Sequence, residues 1–259
     1  MTNGITTLPA PVIIPPSSVP IKVKQFRISD DISINSSDRI LVVGRSGSGK
    51  SVLVKAVLLP NYDNYVFWDI KKENNDIIHD ALVKTPAGLK YALDRYNKIL
   101  YQPASVEMDD FDAICRLIFE HKNMMLYVDE ATRVSSPMKI PYWLNVIVTQ
   151  GRSVNVGLIA ASQRPKNISN TIISESLHFF IFGLNMATDR ERMAEMMGKE
   201  AANEIQYLPQ FHFMYYSVLD NRTILYKPIL SAPGRRPRME IYKPTLADYM
   251  KRSGGAMYE

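Results

Sequence analysis

The stretch Arg39-Ile-Leu-Val-Val-Gly-Arg-Ser-Gly-Ser-Gly-Lys-Ser51 decides how this chain is read. Arg39–Val43 is a short apolar run of the kind that forms a buried strand. The next residues, Gly44, Arg45, Ser46, Gly47, Ser48, Gly49, Lys50 and Ser51, match G-x-x-x-x-G-K-[ST]. The apolar run from Val52 to Leu59 then reads as a helix. Glycines let the backbone curl so that successive N–H groups face phosphate oxygens, and a helix start adds its positive dipole end. Lys50 can reach the β- and γ-phosphates of a nucleotide, and the Ser51 hydroxyl can hold Mg²⁺. A dinucleotide fingerprint does not fit, because the glycines run G-x-x-G-x-G and Lys-Ser follows at once. The expectation is a phosphate-binding loop that takes ATP with Mg²⁺.

Such a loop needs an acid from a neighbouring strand. Met124-Met-Leu-Tyr-Val-Asp-Glu130 supplies one after an apolar run. Asp129 is placed to meet the Mg²⁺ shell, and Glu130, one residue on, to orient or deprotonate an attacking water. A kinase must exclude water, whereas a hydrolase sets a carboxylate beside it. Downstream, Val156-Gly-Leu-Ile-Ala-Ala-Ser-Gln163 reads as another strand and runs into Arg164-Pro165. Gln163 could sense the γ-phosphate; a turn-capping amide is the alternative. Arg152, in Gln150-Gly-Arg-Ser153, sits in a Gly-containing loop, where it could be a finger delivered across a subunit boundary or an ordinary surface arginine.

Working outward, strands alternate with helical patterns. Tyr65–Ile70, Ile99–Gln102, Val156–Ala161 and Phe179–Phe182 read as buried strands, as does Met124–Val128. Gly88–Lys98 and Asp109–Lys122 carry apolar residues at helical spacing, the latter with Phe111, Ile114, Cys115, Ile118 and Phe119 on one face. Ile21–Ile28 alternates like a half-buried strand, and Phe211–Val218 with Thr223–Tyr226 reads as a closing hairpin. This alternation predicts an α/β domain with a largely parallel sheet and helices on both faces. The domain spans 21–230, with a Pro-rich extended arm at 1–20 and a basic C-terminal tail at 231–259. Residues 234–259 hold six basic and three acidic side chains.

Composition bounds the rest. The 259 residues are 46% hydrophobic and 22% charged, the normal range for a folded chain. The single cysteine, Cys115, excludes an intrachain disulfide and a Cys-rich zinc site. The four histidines stand at no ligand spacing. No apolar run reaches the roughly 18 residues of a membrane helix, and the N-terminus lacks the pattern of a signal peptide. The net charge of +5 is compatible with a nucleic-acid partner. The acids after Asn185, beginning with Asp189, Glu191, Glu195, Glu200 and Glu204, are expected on a solvated face rather than in a nuclease metal cluster.

Together, GRSGSGKS, Trp68-Asp-Ile-Lys71, YVDEA and GRSVNVGLIAASQRP resemble the FtsK/HerA superfamily of DNA-pumping P-loop ATPases. Within it they are most similar to the genome-packaging ATPases of icosahedral viruses with internal membranes. The match runs from about Ile40 to Gly198, and the Ser-Gln-Arg-Pro ending is its most specific piece. The resemblance implies a RecA-like core working as a hexameric ring on double-stranded DNA, with Gln163 as sensor and Arg152 as trans finger. Arg190 and Arg192 fall where relatives carry further basic residues, so the finger is one of the three. The chain shows neither the anchoring segments nor the winged-helix tail of cellular chromosome pumps, which favours a minimal viral motor. Its place is then the host cytoplasm or the virion, with capsid-vertex or membrane proteins as partners. The alternative is a virion-assembly or secretion ATPase acting on protein or nucleoprotein cargo.

Overall fold

The computed structural model describes residues 20–104, 107–229, 237–245 and 248. The Pro-rich arm, except Pro20, and most of the basic tail lie outside the described residues.

A small antiparallel hairpin, β1 (Gln25–Ser29) and β2 (Ile32–Asn35), leads into β3 (Arg39–Val43) and the glycine-rich loop. The following helix starts as α1 (Lys50–Leu53), widens to π geometry over Val54–Leu58 and tightens to 3₁₀ over Leu59–Asn61. Asn61 closes it by donating its side-chain amide to the Val57 and Leu58 carbonyls. Next come β4 (Tyr65–Trp68), β5 (Ala81–Val83), α2 (Pro86–Leu93) and β6 (Lys98–Tyr101). Thr85 caps α2 by accepting the Gly88 N–H, and Pro86 occupies its first turn. Then α3 (Met108–His121) leads to β7 (Met124–Val128), α4 (Tyr142–Gln150) and β8 (Val156–Ser162). The chain continues through α5 (Asn170–Glu175), β9 (His178–Phe182), α6 (Ala187–Met197) and α7 (Lys199–Glu204). It closes with the hairpin β10 (Phe213–Ser217) and β11 (Arg222–Tyr226).

Nine strands form one sheet in the order β11-β10-β9-β3-β8-β7-β4-β6-β5. The pairs from β9 through β5 are parallel, and β10 and β11 add an antiparallel edge. The central strands are buried on both faces, so their apolar runs are continuous rather than alternating. In β3, Leu41 and Val43 enter one core while Ile40 and Val42 enter the other. In β7, Met124, Leu126 and Val128 divide from Met125 and Tyr127 in the same way. The first core packs under α2 to α7, the second under the α1 segment and the β1–β2 hairpin.

Two expectations shift. The Ile21–Ile28 strand begins only at Gln25, because Pro20–Lys24 is held by side chains: Asn123 and Asn155 bind the backbone of Pro20 and Lys22. The Gly88–Lys98 helix occupies Pro86–Leu93, so the apolar spacing continued past its end.

Candidate functional site

The parallel order places the C-terminal ends of β3, β7 and β8 side by side. Loop residues 44–51 leave β3 there and are tied to both flanking strands. Gly44 N donates to Ser162 O (3.2 Å), and Arg45 N donates to Gly183 O (3.1 Å). At Gly44 a Cβ would meet Phe182 Cβ at 2.5 Å and Ser48 Oγ at 2.8 Å, so only glycine fits. Gly49 has φ +106°, a conformation side chains rarely take. Lys50 curls over the loop and donates to Gly44 O (2.7 Å) and Arg45 O (3.0 Å). Burial lowers its pKa to about 8, with Glu130 and Asp129 opposing the shift and Lys71 adding to it. Ser48 Oγ is buried with no hydrogen-bond partner among the described residues. A nucleotide phosphate suits that orphaned hydroxyl and the glycine cradle.

From β7 come the two acids, both nearly buried. Asp129 accepts the Tyr127 hydroxyl on Oδ1 (2.8 Å) and the Lys71 ammonium on Oδ2 (3.1 Å). Glu130 Oε1 accepts the hydroxyls of Thr132 (2.7 Å) and Ser162 (3.0 Å). The Ser51 hydroxyl and the Asp129 carboxylate are hard oxygen donors, which suit Mg²⁺. Gln163 leaves the end of β8 at this edge, half-buried, and its amide makes no hydrogen bond among the described residues.

Arg152 is not brought to this edge. It follows α4 in a 3₁₀ turn, Gly151–Val154, ahead of β8, at the opposite end of the sheet from the loop of its own chain. Its Nη2 lies 3.5 Å from Oδ1 of buried Asp38. Asp38 also accepts the Asn35 N–H (2.7 Å) and faces His178 Nε2 (3.2 Å), while His178 Nδ1 lies 2.8 Å from the Tyr215 hydroxyl. Burial works to raise the Asp38 pKa, but the His178 and Asn35 hydrogen bonds and the His178 and Arg152 charges hold it below the ordinary value. Arg190 donates to Leu184 O and Asn185 O, both 2.9 Å, in the segment after β9. Arg192 instead binds Asn170 and Glu195.

One acid departs from expectation. Asp189 is buried rather than solvated, bonded to Arg164 Nε (2.8 Å) and Lys166 N (3.1 Å). It ties α6 to the Gln-Arg-Pro turn, a long-range pairing that helical spacing cannot reveal. Glu130 is held by Thr132, directly after YVDEA, and by Ser162, the first residue of the Ser-Gln-Arg-Pro ending; sequence adjacency was the available signal for both.

No family model matches the chain. The DNA packaging ATPase P9 of Enterobacteria phage PRD1 is 27% identical over 220 residues, which cover 81% of this chain and 95% of that protein. This chain is similar to viral DNA-packaging ATPases. Protein P9 of Pseudoalteromonas phage PM2 is 24% identical over 191 residues, 68% of this chain and 83% of its own length. The genome packaging NTPase B204 from Sulfolobus turreted icosahedral virus 2, solved with ATP-gammaS, superposes with a TM-score of 0.69 at 20% identity. That match covers 76% of this chain and all of B204, and it shows the shared fold. The chain thus has the RecA-like P-loop NTPase fold, a mostly parallel sheet with α2 to α7 on one face and the α1 segment with the β1–β2 hairpin on the other.

Proposed function

We propose that this chain is an ATP-hydrolysing motor that translocates double-stranded DNA and packages a viral genome into a preformed capsid. The observation that carries the reading is the gathering of Lys50, Asp129, Glu130 and Gln163 at one sheet edge, in a relative of PRD1 P9. The loop N–H groups of residues 44–49 and Lys50 bind the ATP phosphates, and Ser51 and Asp129 would hold Mg²⁺. That ion would supply charge neutralisation of the phosphates. Glu130 takes the proton of the attacking water, its Oε1 fixed by Thr132 and Ser162 so that Oε2 is the basic oxygen. Gln163 contacts the γ-phosphate side and reports its loss.

Arg152, at the opposite end of the sheet from the loop of its own chain, is proposed as the finger for a neighbour's site in a hexameric ring, with Arg190 and Arg192 as the alternatives. The basic C-terminal tail approaches the DNA, and the motor works in the host cytoplasm or at the capsid vertex. Movement is tested by ATP-dependent displacement of a triplex-forming strand from duplex DNA. Displacement that requires ATP and intact Glu130 supports the motor; hydrolysis without displacement refutes translocation.

A further inference from the structure

Trp68-Asp-Ile-Lys71, at the end of β4, has no part in the mechanism above, yet the fold spends a buried charge on it. Asp69 is fully buried. Its Oδ2 accepts Asn74 N (3.1 Å) and Gln102 Nε2 (3.1 Å), and its Oδ1 accepts Asn74 Nδ2 (2.8 Å). Its own N–H donates to Tyr101 O (2.9 Å). These bonds clamp the turn after β4, which also contains Lys72 in a left-handed conformation at φ 58°. From this clamped turn Lys71 reaches across to β7 and sets its ammonium 3.1 Å from Asp129 Oδ2.

Asp129 has a side-chain exposure of 6%, and a buried carboxylate needs a counter-charge. Tyr127 binds Oδ1, and Oδ2 is the oxygen that faces the Lys71 cation. Lys71 forms the one ion pair to Asp129 among the described residues. Its side chain is 37% exposed, leaving it a solvent path away from the carboxylate. We infer that Lys71 is the exchangeable counterion of Asp129: it holds Oδ2 before Mg²⁺–nucleotide binds and yields it when Mg²⁺ arrives. Asp69 is the positioning residue that aims the turn. The inference rests on Asp129 belonging to the metal site, and it adds a competitor for that site from within the chain.

The test is an Mg²⁺ titration of fluorescent ATP-analogue binding to the full chain, read as the half-saturating Mg²⁺ concentration. Lys71→Met removes the competitor and should lower that concentration about three- to five-fold, the scale of a half-exposed ion pair. Lys71→Gln, neutral but polar, should shift it the same way, and Lys71→Arg should return it to within about two-fold of the parent. Lys71→Met should also lower the melting temperature without Mg²⁺ more than with it, since the bare carboxylate is stranded only in the first case. A purely structural lysine would change stability equally in both. A half-point unchanged or raised in the Met and Gln variants, with binding intact, overturns the inference alone. Nucleotide binding absent from the parent chain would overturn the phosphate-site reading beneath it.

Discussion

Replacing Glu130 by Gln separates binding from chemistry, because the side chain changes its charge and keeps its shape. Oε1 accepts both the Thr132 and Ser162 hydroxyls. The Gln amide oxygen can take the same two bonds, which places NH₂ where the carboxylate's second oxygen stood. An amide nitrogen donates and cannot accept a proton from water. The general-base contribution of about 10²–10⁴ should therefore disappear from the hydrolysis step. Glu130 makes no hydrogen bond to the loop at 44–51 and reaches it only through its charge on Lys50, so nucleotide affinity should stay within about three-fold. Removing a nearly buried charge should leave the melting temperature unchanged or higher. Single-turnover hydrolysis with labelled ATP measures the step itself, and a fluorescent analogue measures binding. Ser162→Ala is the graded partner: it deletes one of two hydroxyl donors, so turnover should fall about ten-fold with binding intact. Hydrolysis by Glu130→Gln within three-fold of the parent would refute the role of Glu130, and lost binding would place it in the phosphate site instead.

Lys50→Ala should abolish hydrolysis while shifting the melting temperature little, since Lys50 bonds only loop carbonyls; normal turnover would remove it from the phosphate site. With Lys50 at about 8 against 10.5 for the free side chain, the unfolded chain holds the extra proton between those values. This group's contribution to stability should thus rise from pH 8 to 10.5, while tripolyphosphate affinity, read by calorimetry, should fall as pH passes 8; Lys50→Ala should flatten both trends. Gly44→Ala should destabilise the chain by about 1–3 kcal/mol in chemical denaturation, as its Cβ meets Phe182; a neutral effect would mean the loop can shift. Mixing Arg152→Ala with Lys50→Ala chains should recover part of the rate that each lacks alone, because some interfaces then pair an intact loop with an intact arginine. Recovery with Arg190 or Arg192 variants in place of Arg152 would move the finger, an element worth about 10³–10⁵ in rate.

Sequence carried the parts that are local. The apolar run of β3, the glycine spacing and the following helix are contiguous, and each obeys a short-range rule. Buried strands such as β7 and β9 were legible because both faces are covered, which leaves nearly unbroken apolar runs. The three-residue β5 gave no such run, and its residues are only partly covered, so it went unread. Strand order was not legible at all: β8 lies beside β3 through pairing between residues more than a hundred positions apart. A similar distance hides Asp38 beneath His178 and Arg152, and a separation of 25 residues hides Asp189 beneath Arg164. A polar residue in a helical pattern reads as solvated until tertiary contacts give it a partner. The Lys71–Asp129 pair is of the same kind: its motif was visible, and its function required the neighbouring strand.

The most direct measurement is the steady-state ATP hydrolysis rate of the purified chain with and without double-stranded DNA of mixed sequence, across a salt series. The account predicts stimulation by any duplex sequence. The apparent DNA affinity should fall by about 0.9 log units per log unit of salt for each phosphate neutralised. Hydrolysis indifferent to DNA, or a response confined to one duplex sequence, would contradict it.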